Sequence, residues 1–407
     1  MRVVVVGAGA AGTMAAIWAA STGAETLLLE RKADGGRKIL ISGGGRCNIL
    51  PVRVDESRFV TASPRHLLRK IVRAGPLHEQ VAFFERDAGM PLVVEAESGK
   101  YFPASQSARD ARDRLYGLAR RRGVTPRTDA RVVDVRPEGG GWRVELEHQA
   151  PLQAEAVILA TGGLSVPKTG RDGDGLRIAE RLGHILHQTY PALTPLVADP
   201  APFGDLAGIS LPVTITARAG ALAARASGGF LFTHRGYSGP AVLDVSHVAV
   251  LSRGSAAPAR VEVRWTGSDE DAWDAALRPQ GARSVAAALG RELPDRLARA
   301  LVEHAGIDRT RTLSNLTRDE RRRLVERLTR FELPWTGDEG YRTAEVTGGG
   351  VSLEEVHPAT LESRRHPRLF LCGEMLDGFG AIGGYNFLWA WATGRAAGLG
   401  AARCTAS

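Results

Sequence analysis

The chain has 407 residues, 43% of them hydrophobic and 24% charged, with a formal net charge of +8 and only three cysteines. Its length predicts two domains or one domain with a large insertion, and the cysteine spacing suggests neither a disulfide framework nor a zinc site. The basic residues are almost all arginines spread along the chain, so the charge does not by itself indicate nucleic-acid binding. No apolar stretch reaches the roughly 18 residues of a membrane span, and the short amino-terminal apolar run does not fit a signal peptide. A soluble, cytoplasmic protein is therefore expected, with no membrane partner.

The first predicted element is a buried strand over residues 3–6, since a run of valines is typical of a central parallel strand. It leads into Gly7-x-Gly9-x-x-Gly12, an alanine-rich helix, and a second apolar run that ends at Glu30. Gly7 permits the tight turn, Gly9 lets backbone approach a pyrophosphate, and Gly12 lets the helix pack close to the strand. Glu30 can accept the hydroxyls of an adenosine ribose and would repel a 2′-phosphate. This segment predicts FAD or NAD as the nucleotide, rather than NADP.

Two further glycine-rich turns follow predicted buried strands. The strand in "AVILATGGLS" ends at Thr161-Gly162-Gly163, and a turn and helix follow in "TGRDGDGLRIAERLGH". Near the other end, a strand over residues 369–372 leads through Gly373 and Glu374 to a glycine-rich turn and a helix that begins near Asn386. A helix that two glycines open is an anion site. A flavin needs such a site at its N1–C2=O edge, so three glycine turns with one fingerprint favour FAD over NAD.

An insertion interrupts the nucleotide-binding part of the chain. We expect residues 1–190 to form the first part of that domain and residues 344–407 its carboxyl-terminal part. Alternating apolar and polar runs predict a small antiparallel β-barrel over residues 191–268. Helical periodicity with charged outer faces predicts a helical cap over residues 269–343.

The whole pattern resembles the YhiN/BaiN-like family of flavoproteins, labelled NAD(FAD)-utilising dehydrogenases or aminoacetone-oxidase-like enzymes. The segments that carry the resemblance, from residue 1 to about residue 398, are "GAGAAG", "GRKILISGGGRCN", "ESGKYFPASQSARDARDRL", "VILATGG", "FLFTHRGYSGPAVLDVS", "VTGGGVSLEEVHPATLES" and "GEMLDGFGAIGGYNFLWAWATGRAAG". Ile382 stands where the family often has threonine, and the middle section matches weakly. The resemblance implies an α/β fold, with a Rossmann-like FAD-binding domain of the glutathione-reductase/fumarate-reductase-like superfold.

The resemblance also implies a non-covalently bound FAD and the residues that hold it. At the ADP half it implies Gly7, Gly9, Ala11, Gly12 and Glu30, with Val133, Thr161 and Gly162 near the adenine. At the pyrophosphate and flavin it implies Ser42, Gly43, Gly44, Gly45, Arg46, Cys47 and Asn48. At the ribityl chain and flavin it implies Gly373, Glu374, Asp377, Gly383, Gly384, Tyr385, Asn386 and Phe387. Arg31 and Lys38 complete the expected cofactor-binding set, and no metal is expected.

Two residues are candidates for the chemistry itself. Cys47 lies in the glycine loop, but disulfide reductases of this superfold carry two cysteines four residues apart, and no second cysteine is near it in the sequence. Dithiol chemistry is therefore not predicted, while packing, flavin contact and a redox-active thiol stay open. His234 in "FTHRGYSGP" precedes an expected helix start at Pro240. It could exchange a proton near the flavin or simply pack the loop.

These features predict an FAD-dependent oxidoreductase that transfers hydride through flavin N5 to or from a small organic substrate. NAD(P)H is a possible transient co-substrate, since the chain has no second nucleotide fingerprint. The alternatives are an RNA-modifying flavoprotein and a flavin-binding sensor without turnover. The dispersed arginines argue against a nucleic-acid partner, and the oligomeric state is left open.

Overall fold

The computed structural model describes residues 1–167 and 172–403. The chain divides into two compact units, one formed by Met1–Pro191 with Glu345–Ser407 and the other by Ala192–Ala344. Each unit has its own hydrophobic core. Residues 169–171 of the predicted turn before the helix at 174 lie outside the described residues.

The strands follow in chain order. They are β1 Arg2–Val6, β2 Glu25–Leu29, β3 Leu50–Pro51, β4 Phe59–Val60, β5 Leu92–Glu95, β6 Lys100–Pro103, β7 Val124–Arg127, β8 Val132–Glu138, β9 Gly141–Leu146, β10 Gln149–Ala154, β11 Ala156–Leu159, β12 Leu186–Ala192, β13 Leu196–Val197, β14 Ser210–Ala219, β15 Leu222–Thr233, β16 Gly236–Ser238, β17 Arg260–Arg264, β18 Phe331–Glu332, β19 Gly337–Asp338, β20 Val346–Val351, β21 Leu369–Leu371 and β22 Phe379–Gly380.

The helices alternate with these strands. They are α1 Ala10–Ala20, α2 Arg37–Ile41, α3 Arg65–Ala74, α4 Leu77–Ala82, α5 Ala108–Arg121, α6 Asp174–Arg181, α7 Pro240–Ser252, α8 Glu270–Ala276, α9 Val285–Leu289, α10 Asp295–His304, α11 Arg318–Thr329 and α12 Tyr385–Arg403.

The first unit is built on a parallel sheet. Its strand order is β21-β11-β1-β2-β7, and β1 pairs in parallel with both β11 and β2. All of Val3 to Val6 are buried, because helices cover a parallel sheet on both faces. The carboxyl ends of β1, β2, β11 and β21 therefore meet at one edge of the sheet. The segments that follow these strands all carry predicted cofactor residues, and this edge is where open parallel sheets bind ligands.

Helices α1 and α12 pack against each other at unusually close range. A Cβ atom added to Gly394 would lie 2.3 Å from the carbonyl oxygen of Ala11, and one added to Gly398 would lie 2.3 Å from that of Ala15. Both distances are far below van der Waals contact, so only glycine fits at these two positions. The packing joins the helix that begins at residue 10 to the helix that begins at residue 385.

Smaller sheets complete the first unit. They are the antiparallel sheets β10-β9-β8 and β3-β6-β5 and the strand pairs β12-β20 and β22-β4. The pairing of β22 with β4 places Phe379 opposite Val60 and Gly380 opposite Phe59. The segment around residue 380 is thereby held beside the segment that follows the glycine loop at 42–48.

The second unit contains an antiparallel sheet in the order β18-β17-β14-β15-β16-β13-β19. Its core is aromatic, with the rings of Phe230, Phe232 and Trp265 in mutual contact and Phe331 against Trp265. Helix α7 begins at Pro240 as the sequence predicts, and Gly239 before it has a φ of 95°. Helices α8 to α11 follow, and then β18 returns to pair with β17. The expected helical cap therefore also contributes edge strands to the sheet.

The close packing of α1 and α12 gives a first prediction. In Gly394→Ala the new methyl group meets a backbone carbonyl that cannot rotate away, so the helices must separate. We expect the free energy of unfolding to fall by about 1–3 kcal/mol, the usual range for overpacking. Urea denaturation measures it.

Gly117→Ala in α5 is the matched control, since its Cβ would lie 3.4 Å from the flexible Arg121 guanidinium. Alanine is favoured over glycine in a helix, so this control should leave stability unchanged or raise it by about 0.5–1 kcal/mol. Equal effects of the two substitutions would show that the close packing does not limit position 394.

Candidate cofactor site

A cleft opens at the carboxyl edge of the parallel sheet. Gly7, Gly9, Glu30, Lys38 and Thr161 are among its lining residues. Gly9 is the residue directly before α1, so the amino end of the helix, with its unpaired backbone N–H groups, faces this cleft. Such an end attracts the phosphates of a dinucleotide.

The glycines of the fingerprint are required by space as well as by conformation. Gly7 has a φ of 103°, and a Cβ atom there would lie 2.6 Å from the carbonyl oxygen of Ala160. A Cβ atom on Gly12 would lie 1.8 Å from the carbonyl oxygen of Gly7. The turn is therefore pressed against both β11 and α1. This geometry fits the dinucleotide cradle that the sequence predicts.

The carboxylate of Glu30 is oriented by the backbone around it. Its Oε2 accepts a hydrogen bond from Ala8 N at 3.1 Å, and its Oε1 accepts one from Lys32 N at 3.1 Å. Tyr116 on α5 donates its hydroxyl to the carbonyl oxygen of Ala8 at 2.5 Å. Burial raises the pKa of Tyr116, so the phenol stays a donor. Tyr116 thus fixes the backbone of the fingerprint turn through its hydrogen bond to Ala8. No local sequence signal pointed to this residue.

A group of charged side chains lines the cleft beside Glu30. Arg31 contacts Asp172 at 2.6 Å and Asp174 at 3.4 Å, while Arg131 contacts Asp174 at 3.0 Å. The hydrogen bond from Arg31 helps to lower the pKa of Asp172, against the opposing effect of burial. Sequence reasoning found Arg31 but missed the other three residues. Asp172 is 141 residues from Arg31 along the chain, and Asp174 is 43 residues from Arg131.

Val132 lines the cleft next to this group, whereas the predicted Val133 does not line it. The side chain of Val133 is 38% exposed, and its carbonyl oxygen accepts a hydrogen bond from Arg181 at 3.1 Å. Thr161 does line the cleft, and Gly162 beside it has a φ of 76°. Which of these backbones meets an adenine stays a prediction.

The loop at residues 42–48 presents bare backbone to solvent. Gly43, Gly44 and Gly45 are exposed and have left-handed φ values of 55°, 66° and 85°. A Cβ atom on Gly44 or Gly45 would meet nothing within 4 Å, so conformation rather than crowding explains these glycines. Arg46 lies over the ring of Phe102 at 4.3 Å and contacts Glu95 at 2.8 Å. The loop is open to a ligand, while the guanidinium of Arg46 is held at its side.

Cys47 is fully buried beneath this loop. Burial raises the pKa of its thiol to about 12, and a hydrogen bond with Ser42 opposes that shift only in part. A redox-active thiol needs a lowered pKa and access to solvent. The environment of Cys47 therefore favours a packing role over the catalytic role that the sequence left open.

The carboxylate of Glu374 joins several glycine-rich segments. It contacts Lys38 Nζ at 2.7 Å and accepts hydrogen bonds from Ser165 Oγ at 2.5 Å and from Thr347 N at 3.1 Å. Lys38 Nζ also donates to Ser165 Oγ at 2.8 Å. The side chains of Lys38 and Glu374 are only 21% and 14% exposed. Glu374 thus fixes the walls of the cleft, and a contact with the ribityl chain stays a prediction.

Asp377 is buried and satisfied within the protein. Its Oδ2 accepts hydrogen bonds from Ser63 Oγ and Ser63 N, both at 2.7 Å, and from Thr61 Oγ1 at 2.8 Å. His187 Nε2 lies 3.6 Å from the same oxygen. These contacts bind the start of α3 to the segment after β21. The role of Asp377 at the ribityl chain stays a prediction. Its described partners, Thr61 and Ser63, give it a role in holding these two segments together.

The two glycine-rich ends of the chain meet, as the sequence leads us to expect. Gly384 has a φ of 92°, and a Cβ atom there would lie 2.6 Å from the backbone of Leu50, just after the loop at 42–48. Tyr385 donates its hydroxyl to Arg53 O at 3.0 Å. Asn386 bridges the backbone of Gly380, donating to its oxygen at 2.8 Å and accepting from its nitrogen at 2.9 Å.

The remaining predicted residues lie close by. Ala11, at the start of α1, would be 2.7 Å from a Cβ atom on Gly373, so the first and last glycine-rich turns touch. Phe387 stacks on Trp391 within α12 at 5.3 Å. His234 belongs to the second unit, where it is exposed in the turn between β15 and β16. Its proton-transfer role stays a prediction.

Neither a metal cluster nor a membrane helix is found in the described part of the chain. Among residues 1–167 and 172–403, no group of three His, Cys, Asp or Glu side chains could hold a metal ion. Over the same residues, every helix is too short or too polar to span a bilayer.

Comparison with known proteins agrees with this architecture. The family model described as "HI0933-like protein Rossmann domain" matches residues 1–400. The ribosomal RNA dihydrouridine synthase of Escherichia coli (strain K12) is 31% identical over 393 residues, which cover 96% of this chain and 95% of that protein. The 3-dehydro-bile acid delta(4,6)-reductase of Clostridium scindens (strain ATCC 35704 / DSM 5676 / VPI 13733 / 19) is 32% identical over 409 residues, which cover 98% and 99%.

A solved structure shares the fold. The open conformation of a flavocytochrome c3 fumarate reductase aligns with a TM-score of 0.51 at 18% identity, covering 99% of this chain and 78% of that one. At this identity the likeness concerns the fold alone. Together with the family match, it confirms the Rossmann-like fold class that the sequence predicts.

The burial of Cys47 predicts that its thiol is unreactive in the folded protein. With a pKa of about 12, about one molecule in ten thousand carries the thiolate at pH 8. In a Cys404→Ser background, we expect no reaction with Ellman's reagent at pH 8 until denaturant is added, since Cys372 is buried too. Rapid labelling of Cys47 in the native state, identified by mass spectrometry, would contradict this account.

The ion pair between Lys38 and Glu374 gives a third prediction. Glu374→Gln leaves the ammonium of Lys38 without its carboxylate partner, and breaking a partly buried pair costs about 2–3 kcal/mol. We expect that loss in the free energy of unfolding and weaker FAD binding, measured by urea denaturation and flavin fluorescence. Arg37→Gln is the matched control, because the Arg37–Asp34 pair is exposed and should contribute below about 1 kcal/mol. Similar losses for both variants would show that Glu374 does not organise the cleft.

Proposed function

This chain belongs to the HI0933-like Rossmann-domain family and is an FAD-dependent oxidoreductase, and we propose that it reduces a carbon–carbon double bond conjugated to a carbonyl group. The observation that carries the proposal is the chemistry shared by two equally similar relatives. Dihydrouridine is uridine with its C5=C6 bond saturated, and the bile acid relative is named as a reductase of a 3-keto compound. In both names the reduced bond is conjugated to a carbonyl.

FAD would be held by the residues already described. The amino end of α1 would hold the pyrophosphate, and Glu30 would accept hydrogen bonds from the adenosine ribose hydroxyls. The amino end of α12, opened by Gly383 and Gly384, would stabilise negative charge that develops on the flavin. When bound, FAD supplies a hydride from N5 to one carbon of the double bond, and a proton from solvent or a side chain completes the other carbon.

The chain's own contribution is to fix these groups before the reaction. Lys38 and Glu374 neutralise each other at 2.7 Å, so the walls of the cleft are set without help from the cofactor. The exposed backbone at residues 43–45 can approach the flavin closely, because no side chain separates them. Arg58, whose guanidinium lies 4.8 Å from the ring centre of Tyr385, adds positive charge beside the opening of α12.

A small organic enone is the first candidate substrate, supported by the bile acid relative. A uracil base held in RNA is the second, supported by the relatives named ribosomal RNA dihydrouridine synthase and by the net charge of +8. The sequence-based expectation of no nucleic-acid partner therefore stays a prediction. The use of NAD(P)H as the electron donor also stays a prediction.

The reaction class can be tested with the FAD-loaded protein under anaerobic conditions. We reduce the flavin with dithionite in one series and with NADH or NADPH in another, then mix it with 2-cyclohexenone, a 4-en-3-one steroid or uridine. We expect at least one conjugated substrate to restore the visible absorbance of oxidised flavin faster than buffer does, with the saturated product found by mass spectrometry. Cyclohexanone is the matched control, since it has the carbonyl without the double bond.

Reoxidation by cyclohexanone at the same rate would contradict a reaction at the double bond. Failure of every conjugated substrate would favour the flavin-binding sensor. The NADH and NADPH arms decide the donor separately, because dithionite reduces the flavin without a nucleotide site.

A further inference from the structure

A basic segment of the chain lies beside the turn at residues 379–384. Residues 46–73, here called the basic segment, contain seven cations and two acids. The cations are Arg46, Arg53, Arg58, Arg65, Arg69, Lys70 and Arg73, and the acids are Asp55 and Glu56. This one segment thus carries a net charge of +5 out of the chain's +8.

Helix α3 forms the most basic part of this segment. Its buried residues are Leu68, Ile71 and Val72, and Leu68 is 3.5 Å from the Cβ position of Gly378. The apolar face of α3 is therefore used within the unit, against the segment that leads to α12. The opposite face presents Arg65, Arg69, Lys70 and Arg73 to solvent. The helix itself contains no acid to offset them.

The available carboxylates compensate this charge only in part. Glu56 serves two guanidinium groups, with Arg73 at 2.5 Å and Arg69 at 3.6 Å. Both arginines remain well exposed, with 71% and 52% of their side chains accessible. Because the single carboxylate of Glu56 faces four cations on α3, the exposed face of this helix remains positively charged.

The basic segment contacts the turn that precedes α12. Strand β4, just before α3, pairs with β22, and Ser63 at the start of α3 donates to Asp377. Arg58 donates to the carbonyl oxygen of Ile382 at 3.1 Å, directly before Gly383 and Gly384. The basic segment and the flavin-binding turn are therefore parts of one rigid assembly within the first unit.

We propose that the basic segment binds the phosphates of a single-stranded RNA and so presents a base to the flavin site. The inference rests on the proposed reaction and selects the second of its two candidate substrates, the base held in RNA. Arginine and lysine on one helix face match a phosphate backbone in charge. A base must leave its stack before chemistry reaches its double bond, which favours a single strand. A membrane surface fits less well, since a helix that lies in a bilayer needs a free apolar face and that of α3 is buried.

The test measures binding separately from catalysis. Fluorescence anisotropy follows FAD-loaded protein titrated with a labelled single-stranded oligouridylate of about 20 nucleotides across a series of salt concentrations. The test variant is Arg65→Gln/Arg69→Gln/Lys70→Gln. Each lost phosphate contact lowers the slope of log affinity against log salt by about 0.7, so three contacts lower it by about 2 and weaken binding about 100-fold near 0.1 M salt.

Arg296→Gln/Arg299→Gln/Arg318→Gln is the matched control, with the same change in net charge on exposed residues of α10 and its neighbour α11. We expect this control to keep a slope close to that of the unaltered protein. Unfolding midpoints and flavin absorbance verify that both variants fold and keep FAD.

Three outcomes would overturn the proposal. The first is equal slopes for the two triple variants, and the second is no RNA binding by the unaltered protein at low salt. The third is binding of the unaltered protein to phosphatidylglycerol vesicles but not to RNA, with the vesicle binding lost in the test variant. Each is distinguishable from failure of the proposed reaction, because reoxidation of the flavin by 2-cyclohexenone does not depend on α3. If the protein reduces 2-cyclohexenone but binds no RNA, the proposed reaction class is kept and the proposed RNA-binding surface is rejected.

Discussion

The structure depends most on one carboxylate, that of Glu374. It holds Lys38 from the segment before the glycine loop, Ser165 from the turn after β11, and the backbone of Thr347 at the start of β20. Lys38 and Glu374 are 336 residues apart along the chain. Each of these segments is rich in glycine, and glycine backbones have little intrinsic preference for one conformation. The ion pair and its hydrogen bonds supply the order that the glycines themselves cannot, and the cleft is shaped before any ligand enters it.

The sequence predicts those parts of the fold whose signals are local. The valine run, the glycine fingerprint and Glu30 follow one another within 30 residues, so their spacing alone indicates a strand, a turn, a helix and a second strand. The packing of Gly384 against Leu50 was also within reach, because two glycine-rich turns serving one flavin must be neighbours. The seven-stranded sheet of the second unit is harder to foresee among the described residues, since β18 joins it only after four helices.

The supporting contacts of the site could not be predicted in the same way. Tyr116, Arg131 and Asp174 act through side chains that meet only after folding, and nothing in their immediate sequence distinguishes them from ordinary surface residues. The reverse holds for Cys47, which looks reactive beside Arg46 in the sequence. Its burial decides the matter, and burial depends on the core of the folded first unit rather than on the sequence of the loop. Local patterns thus identify the backbone that approaches the cofactor but not the side chains that fix its position.

The contact between α1 and α12 has a consequence for the order in which the protein can mature. In the proposed binding mode, the pyrophosphate end of the site lies at α1, near the start of the chain, and the flavin end lies at α12, which is synthesised after the whole of the second unit. A ribosome-bound chain that lacks α12 has the glycine fingerprint at residues 7–12. It does not yet have the close packing of α1 against Gly394 and Gly398 or the turn at Gly383 and Gly384. In that binding mode, the complete FAD site forms only after the second unit has been synthesised. The supply of free FAD then matters chiefly after translation, when it can stabilise the newly closed first unit by mass action.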